Sequence, residues 1–257
     1  MNLSARLLLC LGAVSMLTSC GGGASGSPKV ILGATLFDTA TRAVVDRAVV
    51  IVADGRFKAV GDQPTLPIPP GSEKIDLSGR FLVPTPVRLG NMSYDPRFRT
   101  QAQLRALVEA GRKMVKGMPV DEARISPDLV EALRTRGVIV FPTLILLETE
   151  PHHLQQAKEQ VKALFDAGVK LGVDGGGSAH REWKFLSEAG LPAAAIIQAS
   201  TWHAAQGGAR RGRIEAGAPA NLYVMKCDPR EDIACLVKIE RAMRDGEWVQ
   251  PPALGEN

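Results

Sequence analysis

Hydrophobic positions change rhythm twice along this chain. Residues 29–37 (KVILGATLF) and 48–53 are runs rich in β-branched residues, which predicts strands. Asp54-Gly55-Arg56, between Val52 and Phe57, is a hairpin signal, and residues 57–60 form the return strand before Gly61. Four prolines in residues 64–70 make a rigid connector, followed by a short strand over 74–77. Phe81-Leu82-Val83 is apolar and strand-forming, and Pro84 and Pro86 stop its ladder. The chain therefore leaves one sheet here and enters another body.

Beyond residue 100 the period lengthens. Leu104, Leu107 and Val108 share one face of a helix predicted over 101–110, with Gly111 as its stop. Ser126-Pro127 opens a second helix to 136, with Ser at the N-cap and Pro in the first turn. Further helices are expected over 154–167, 181–189 and 192–204. Between them lie short apolar strands at 114–117, 138–141 and 169–174. Apolar strands alternating with helices imply parallel strands covered by helices. After residue 212 the pattern returns to strands, with Asp245-Gly246 as a late hairpin between 239–243 and 247–249.

Composition narrows the functional classes. The 257 residues are 45% hydrophobic and 23% charged, enough for a sizeable core. The net charge of +4 is dispersed; the one basic cluster is Arg210, Arg211 and Arg213, and aromatics are 5%. With few stacking platforms and no basic stripe, no nucleic-acid partner is expected. Arg6 followed by the apolar stretch 7–17 is a signal peptide, too short to span a bilayer. Leu17-Thr18-Ser19-Cys20 resembles a bacterial lipobox, which implies cleavage after residue 19 and lipidation of Cys20. Residues 20–28 then read as a flexible tether. Acyl chains on Cys20 would make the membrane surface a partner and hold the protein at the cell envelope. The absence of Asp after Cys20 points to the outer membrane, facing the periplasm. That compartment permits a disulfide between the two remaining cysteines, Cys227 and Cys235.

The junction also carries a resemblance. Gly79, Leu82, Val83, Pro84 and Val87 match a segment of the amidohydrolase superfamily that leaves a small β-sandwich and starts a (β/α)8 barrel. That segment ends in Asp-x-His-x-His, whose histidines bind a catalytic divalent metal. Here Arg88 stands at the Asp place, and Gly90 and Met92 at the His places. Val115-Lys116-Gly117-Met118-Pro119 is similar to the family's sixth strand, with Gly117 where a His belongs. Gly172-Val173-Asp174-Gly175-Gly176 resembles its Gly-Thr-Asp-x-Gly motif, whose Asp binds metal and acts as general base. Residues 213–224 resemble the segment that completes the sandwich. The likeness covers about 29–92 and 101–249 and is nearest the imidazolonepropionase- and prolidase-like branch. It implies an α/β chain with a composite β-sandwich, residues 29–85 and 209–257, and a partial (β/α) barrel, residues 86–208. The family's second to fifth barrel units are missing, so the barrel is about half of the usual ~250 residues.

Asp174 is thus the candidate catalytic residue, opposed by its reading as a turn-capping relic. Gly175, Gly176, Gly177 and Ser178, with His180 beyond them, form a candidate ligand loop. A substitute metal site from Asp174, His180 and His152 or His153 is the competing possibility. No metal is expected, since one carboxylate does not replace three protein ligands. The sequence thus describes an amidohydrolase-like lipoprotein that binds an unidentified small molecule without catalysis. The alternative is a hydrolase of C–N bonds, in a dipeptide or cyclic amide, using Zn²⁺ or Mn²⁺. Four barrel strands, 87–92, 114–117, 138–141 and 169–174, cannot close, so bare edges are expected to drive homodimer formation. Mass spectrometry of membrane-extracted protein should show a mature N-terminus at Cys20 carrying acyl mass, lost in Cys20→Ala. An intact leader or an unmodified Cys20 thiol would contradict this.

Overall fold

A computed structural model describes residues 27–62, 66–89, 97–207 and 211–254. The leader, Cys20, most of the tether, Gly90, Met92 and Arg210 lie outside these residues. The tether ends earlier than expected: the Pro28 carbonyl already accepts a hydrogen bond from Glu73 N.

Strands β1 (Lys29–Phe37), β2 (Val44–Ala53), β3 (Arg56–Asp62), β4 (Glu73–Asp76) and β5 (Phe81–Pro84) form the N-terminal part of one eight-stranded sheet. Its C-terminal part is β9 (Leu222–Met225), β10 (Ile239–Arg244) and β11 (Glu247–Val249). The order is β11-β10-β9-β5-β1-β2-β3, and β4 lies beside the first half of β1. The fork in β1 falls at Gly33, whose φ is +80°. Lys29 to Leu32 pair with β4, whereas Thr35 and Leu36 pair with β5. A Cβ on Gly33 would stand 2.3 Å from Ser78 Oγ, so the fork needs glycine. Antiparallel pairing of β5 with β9 joins the two ends of the chain.

The expected sandwich is therefore one continuous, bent sheet rather than two separate ones. Its far edge turns back: Arg56 bridges to Pro219, and Gly55 O accepts from Ala220 N. Ile31, Val50, Phe57, Leu82, Leu222 and Val224 pack together inside it. The two hairpin turns meet at this closure. Asp54-Gly55 and Asp245-Gly246 all have positive φ, as a type I′ turn requires. A Cβ on Gly246 would lie 2.9 Å from the Cα of Gly55.

The second body is built on three short parallel strands: β6 (Met114–Lys116), β7 (Ile139–Phe141) and β8 (Lys170–Leu171). Their covers are α1 (Gln101–Glu109), α2 (Pro127–Thr135), α3 (Pro151–Asp166), α4 (Ala179–Glu188) and α5 (Ala193–Gln198). Leu104, Leu133, Val140, Leu164, Trp183 and Leu186 lie in the shared core. Thr100 and Gln103 form a capping box on α1. Ser126 precedes Pro127 as expected but makes no side-chain cap. The last helix is shorter than its periodicity implies. A π-helical turn, Ala199–His203, and a 3-10 turn, Ala204–Gly207, follow α5. The wide turn frees two carbonyls: Ala199 O accepts from Val173 N at 3.0 Å, and Ser200 O from Val87 N at 2.8 Å.

Of the expected first barrel strand over 87–92, the described part, 87–89, is not a regular strand. Residues 87–89 run extended beside the end of β8, with Gly175 N donating to Val87 O at 2.9 Å. At the opposite edge Phe98 bridges to Gly117, and Phe98 N donates to Lys116 O at 2.9 Å. Phe98 thus covers the β6 edge of the three-stranded sheet, and Val87 meets the chain beyond β8 at Gly175. Leu82 is fully buried where β1, β5 and β9 meet, so Leu82→Ala should cost about 2–5 kcal/mol in urea unfolding. Leu146, 46% exposed, should change stability by less than about 0.5 kcal/mol when replaced by Ala. Equal effects would contradict this packing.

Candidate functional site

The carboxyl ends of β6, β7 and β8 open on one cavity of about 200 Å³. Arg97, Lys116, Phe141, Ile145, Asp174 and Glu182 are among its walls. Lys116 ends β6 and is only 4% exposed. Its Nζ stands 3.7 Å from Asp174 Oδ2, while Asp174 Oδ1 accepts from Leu89 N at 3.2 Å. Asp174 is reached through Gly172, where a Cβ would lie 2.4 Å from the Phe141 ring. The strand end is thus packed against β7 too tightly for any larger residue.

Gly117 has a structural reason of its own. Its φ is +120°, and a Cβ there would fall 2.2 Å from Phe98 O. The backbone around Phe98 fills the space that a side chain at 117 would need. A histidine cannot be placed here without moving that segment. Among the described residues no group of three His, Cys, Asp or Glu side chains is arranged to hold a metal ion. The donor set here therefore does not fit the divalent metal implied by the resemblance.

Glu182 was not foreseen. It is 6% exposed on α4, on the face shared with Ala179, Trp183 and Leu186. Oε1 accepts from Leu144 N and Oε2 from Ile145 N, both at 2.9 Å. These amides begin a 3-10 turn, Leu144–Leu147, and Thr143 before it adopts a left-handed φ of 53°. Burial pushes the Glu182 carboxyl above its ordinary range, against the pull of the backbone amides. A helical spacing that puts one Glu among four apolar positions was the available signal. Lys116, the last residue of an apolar strand, was the other.

The remaining candidates separate. Gly176 and Ser178 line the cavity, and Gly175 is pressed on Pro86, with a built Cβ at 2.8 Å from its carbonyl carbon. Gly177 lies in a groove on the other side of the loop. His180 is not part of the cavity wall, and its buried Nδ1 has no hydrogen-bond partner among the described residues. His153 Nδ1 lies 2.6 Å from Glu150, which Arg99 and His153 hold down to about 2. His152 packs beside His153 at 5.9 Å between ring centroids. The substitute site of Asp174, His180 and His152 or His153 is therefore not assembled: these side chains belong to different surroundings. His203 Nδ1 contacts Leu171 O at 2.7 Å, a packing role. Cys227 and Cys235 are joined by a disulfide across the turn after β9, with Cα atoms 5.9 Å apart.

No protein-family model matches the sequence, and neither does any curated protein. Solved structures do match in fold. A Xaa-Pro dipeptidase with bound methionine in its active site aligns at TM-score 0.64 and 12% identity, over 88% of this chain and 100% of that one. Molinate hydrolase aligns at 0.63 and 12%, over 88% and 95%. Ochratoxinase from A. niger aligns at 0.71 and 10%, over 89% and 97%. At these identities the likeness is one of fold. The chain is a mixed α/β protein with an amidohydrolase-like fold.

Glu182 generates a pH prediction. Its folded pKa is raised from the ordinary 4.5, so the native state binds the proton more tightly than the unfolded chain. The associated stability is complete below the unfolded value and falls as pH rises through the folded one. Glu182→Gln loses one of the two accepted amide bonds and should be less stable by about 1–3 kcal/mol in acid. The gap to wild type should narrow as pH rises above 4.5 in urea titrations, because only wild type carries this slope. A gap that widens with pH would contradict the assignment.

Proposed function

We propose that this chain is a small-molecule binding protein of amidohydrolase-like fold that does not work through a divalent metal. Its ligand occupies the cavity at the carboxyl ends of β6, β7 and β8. Lipid on Cys20 holds it at the bacterial cell envelope, on the periplasmic face of the outer membrane. The observation that carries this reading is Lys116 Nζ at 3.7 Å from Asp174 Oδ2. In the family that the sequence resembles, a metal ion supplies positive charge to that carboxylate. Here an ammonium built into the sheet supplies it. The blocked position at Gly117 points the same way.

The cavity, about 200 Å³, is smaller than the ~300–1,000 Å³ of drug-sized pockets, which limits the ligand to a few heavy atoms. Phe141, Ile145 and Val173 give it an apolar wall, and Lys116 and Arg97 face Asp174 and Glu182 as its basic and acidic groups. A second reading, hydrolysis of a C–N bond, draws on the dipeptidase, molinate hydrolase and ochratoxinase among the structural neighbours. It also draws on two carboxyl groups, Asp174 and Glu182, in the cavity wall.

Elemental analysis separates the two. Dialysed protein should carry well under one equivalent of Zn²⁺ or Mn²⁺, and Asp174→Asn should leave that value unchanged. Stoichiometric metal that survives dialysis and is lost in Asp174→Asn would overturn the binding-protein reading.

A further inference from the structure

The loop after Asp174 has a second side. Behind it lies a groove of about 580 Å³, within the size range of ligand sites. Its walls come from both bodies: residues 85–88 and the glycine loop on one side, β9, β10 and the chain end near Leu254 on the other. Gly176 lines both this groove and the strand-end cavity, so one loop separates the two.

The charge in the groove is uneven. Arg88, Arg211 and Arg244 line it, against the single carboxylate of Asp245 among the described residues. That carboxylate is already engaged: Asn221 Nδ2 donates to it at 3.3 Å. None of the three arginines has a carboxylate partner among the described residues, whereas seven other guanidinium groups do. Arg80 pairs with Glu240, Arg99 with Glu150, Arg105 with Asp128 and Arg213 with Glu215. Three unneutralised guanidinium groups around one concavity raise the local potential and focus it. Each offers a planar fork matched to phosphate or carboxylate. Pro86 and Tyr223 add an apolar floor, and burial raises the Tyr223 hydroxyl pKa, so the phenol stays neutral and able to donate.

We propose that this groove is a binding site for a small, multiply charged anion of phosphate or carboxylate type, separate from the strand-end cavity. Arg88, Arg211 and Arg244 supply the charge, and Tyr223 closes the floor. The site rests on no reading of what the strand-end cavity does.

Isothermal titration of the full-length protein with inorganic pyrophosphate, and in parallel with citrate, tests it. At least one anion should bind saturably with a Kd below about 1 mM in low salt. Arg88→Ala and Arg211→Ala should each weaken it by about tenfold, and the triple arginine-to-alanine variant should abolish it. Arg181→Ala serves as the control, since that exposed side chain pairs with Glu148 outside the groove; it should bind as wild type does. Thermal melts of each variant confirm that the fold is intact. No saturable heat with either anion, or a triple variant that binds like wild type, would overturn the proposal.

Discussion

A lysine that is 4% exposed must meet negative charge inside the protein or lose its own. Lys116 meets it across the cavity, in Asp174. Several features of the site depend on that encounter. The strand-end face carries a charge of each sign where the resembled family concentrates carboxylate and imidazole around metal. Lys116 is held in place from both sides, since its carbonyl accepts from Phe98 and Gly117 donates to Phe141 O. The Phe98 segment that bonds to the Lys116 backbone is the same segment that forbids a side chain at 117.

The small parallel sheet survives for a related reason. Three strands of two or three residues each leave two edges, and a bare edge exposes unpaired backbone groups. Phe98 occupies the β6 edge, and Val87 bonds to Gly175 just beyond β8. The π-helical turn after α5 adds two carbonyl acceptors at the junction, one for Val173 and one for Val87. These bonds hold the Asp174 loop against the start of the second body. The same loop then forms a wall of two concavities with different charge, one balanced and one strongly positive.

Local signals made the outer framework legible. Asp54-Gly55 and Asp245-Gly246 specify turns that only positive φ can satisfy, and both formed. Apolar triplets such as Ile139, Val140 and Phe141 marked strands buried on both faces. What failed was whatever depended on distant chain. Residues 87–92 have strand composition, but in the described part, 87–89, Val87 bonds to Gly175 and Ser200 rather than to a strand. Helical periodicity ran on past Gln198, yet Ser200 and Thr201 bond back to Ile196 and Ile197 and the turn widens. Asp174 was legible through its motif. Lys116 and Glu182 were not, because their burial is decided by segments 18 and 37 residues away, Phe98 and Ile145.

The central claim is that Lys116 and Asp174 act as one charge-compensated unit. A double-mutant cycle in urea unfolding, with Lys116→Met, Asp174→Asn and the pair together, tests it most directly. The account predicts a coupling energy above about 1 kcal/mol, with the double variant more stable than the two single losses imply. Additivity within about 0.5 kcal/mol would show that the two side chains do not depend on one another and would contradict it.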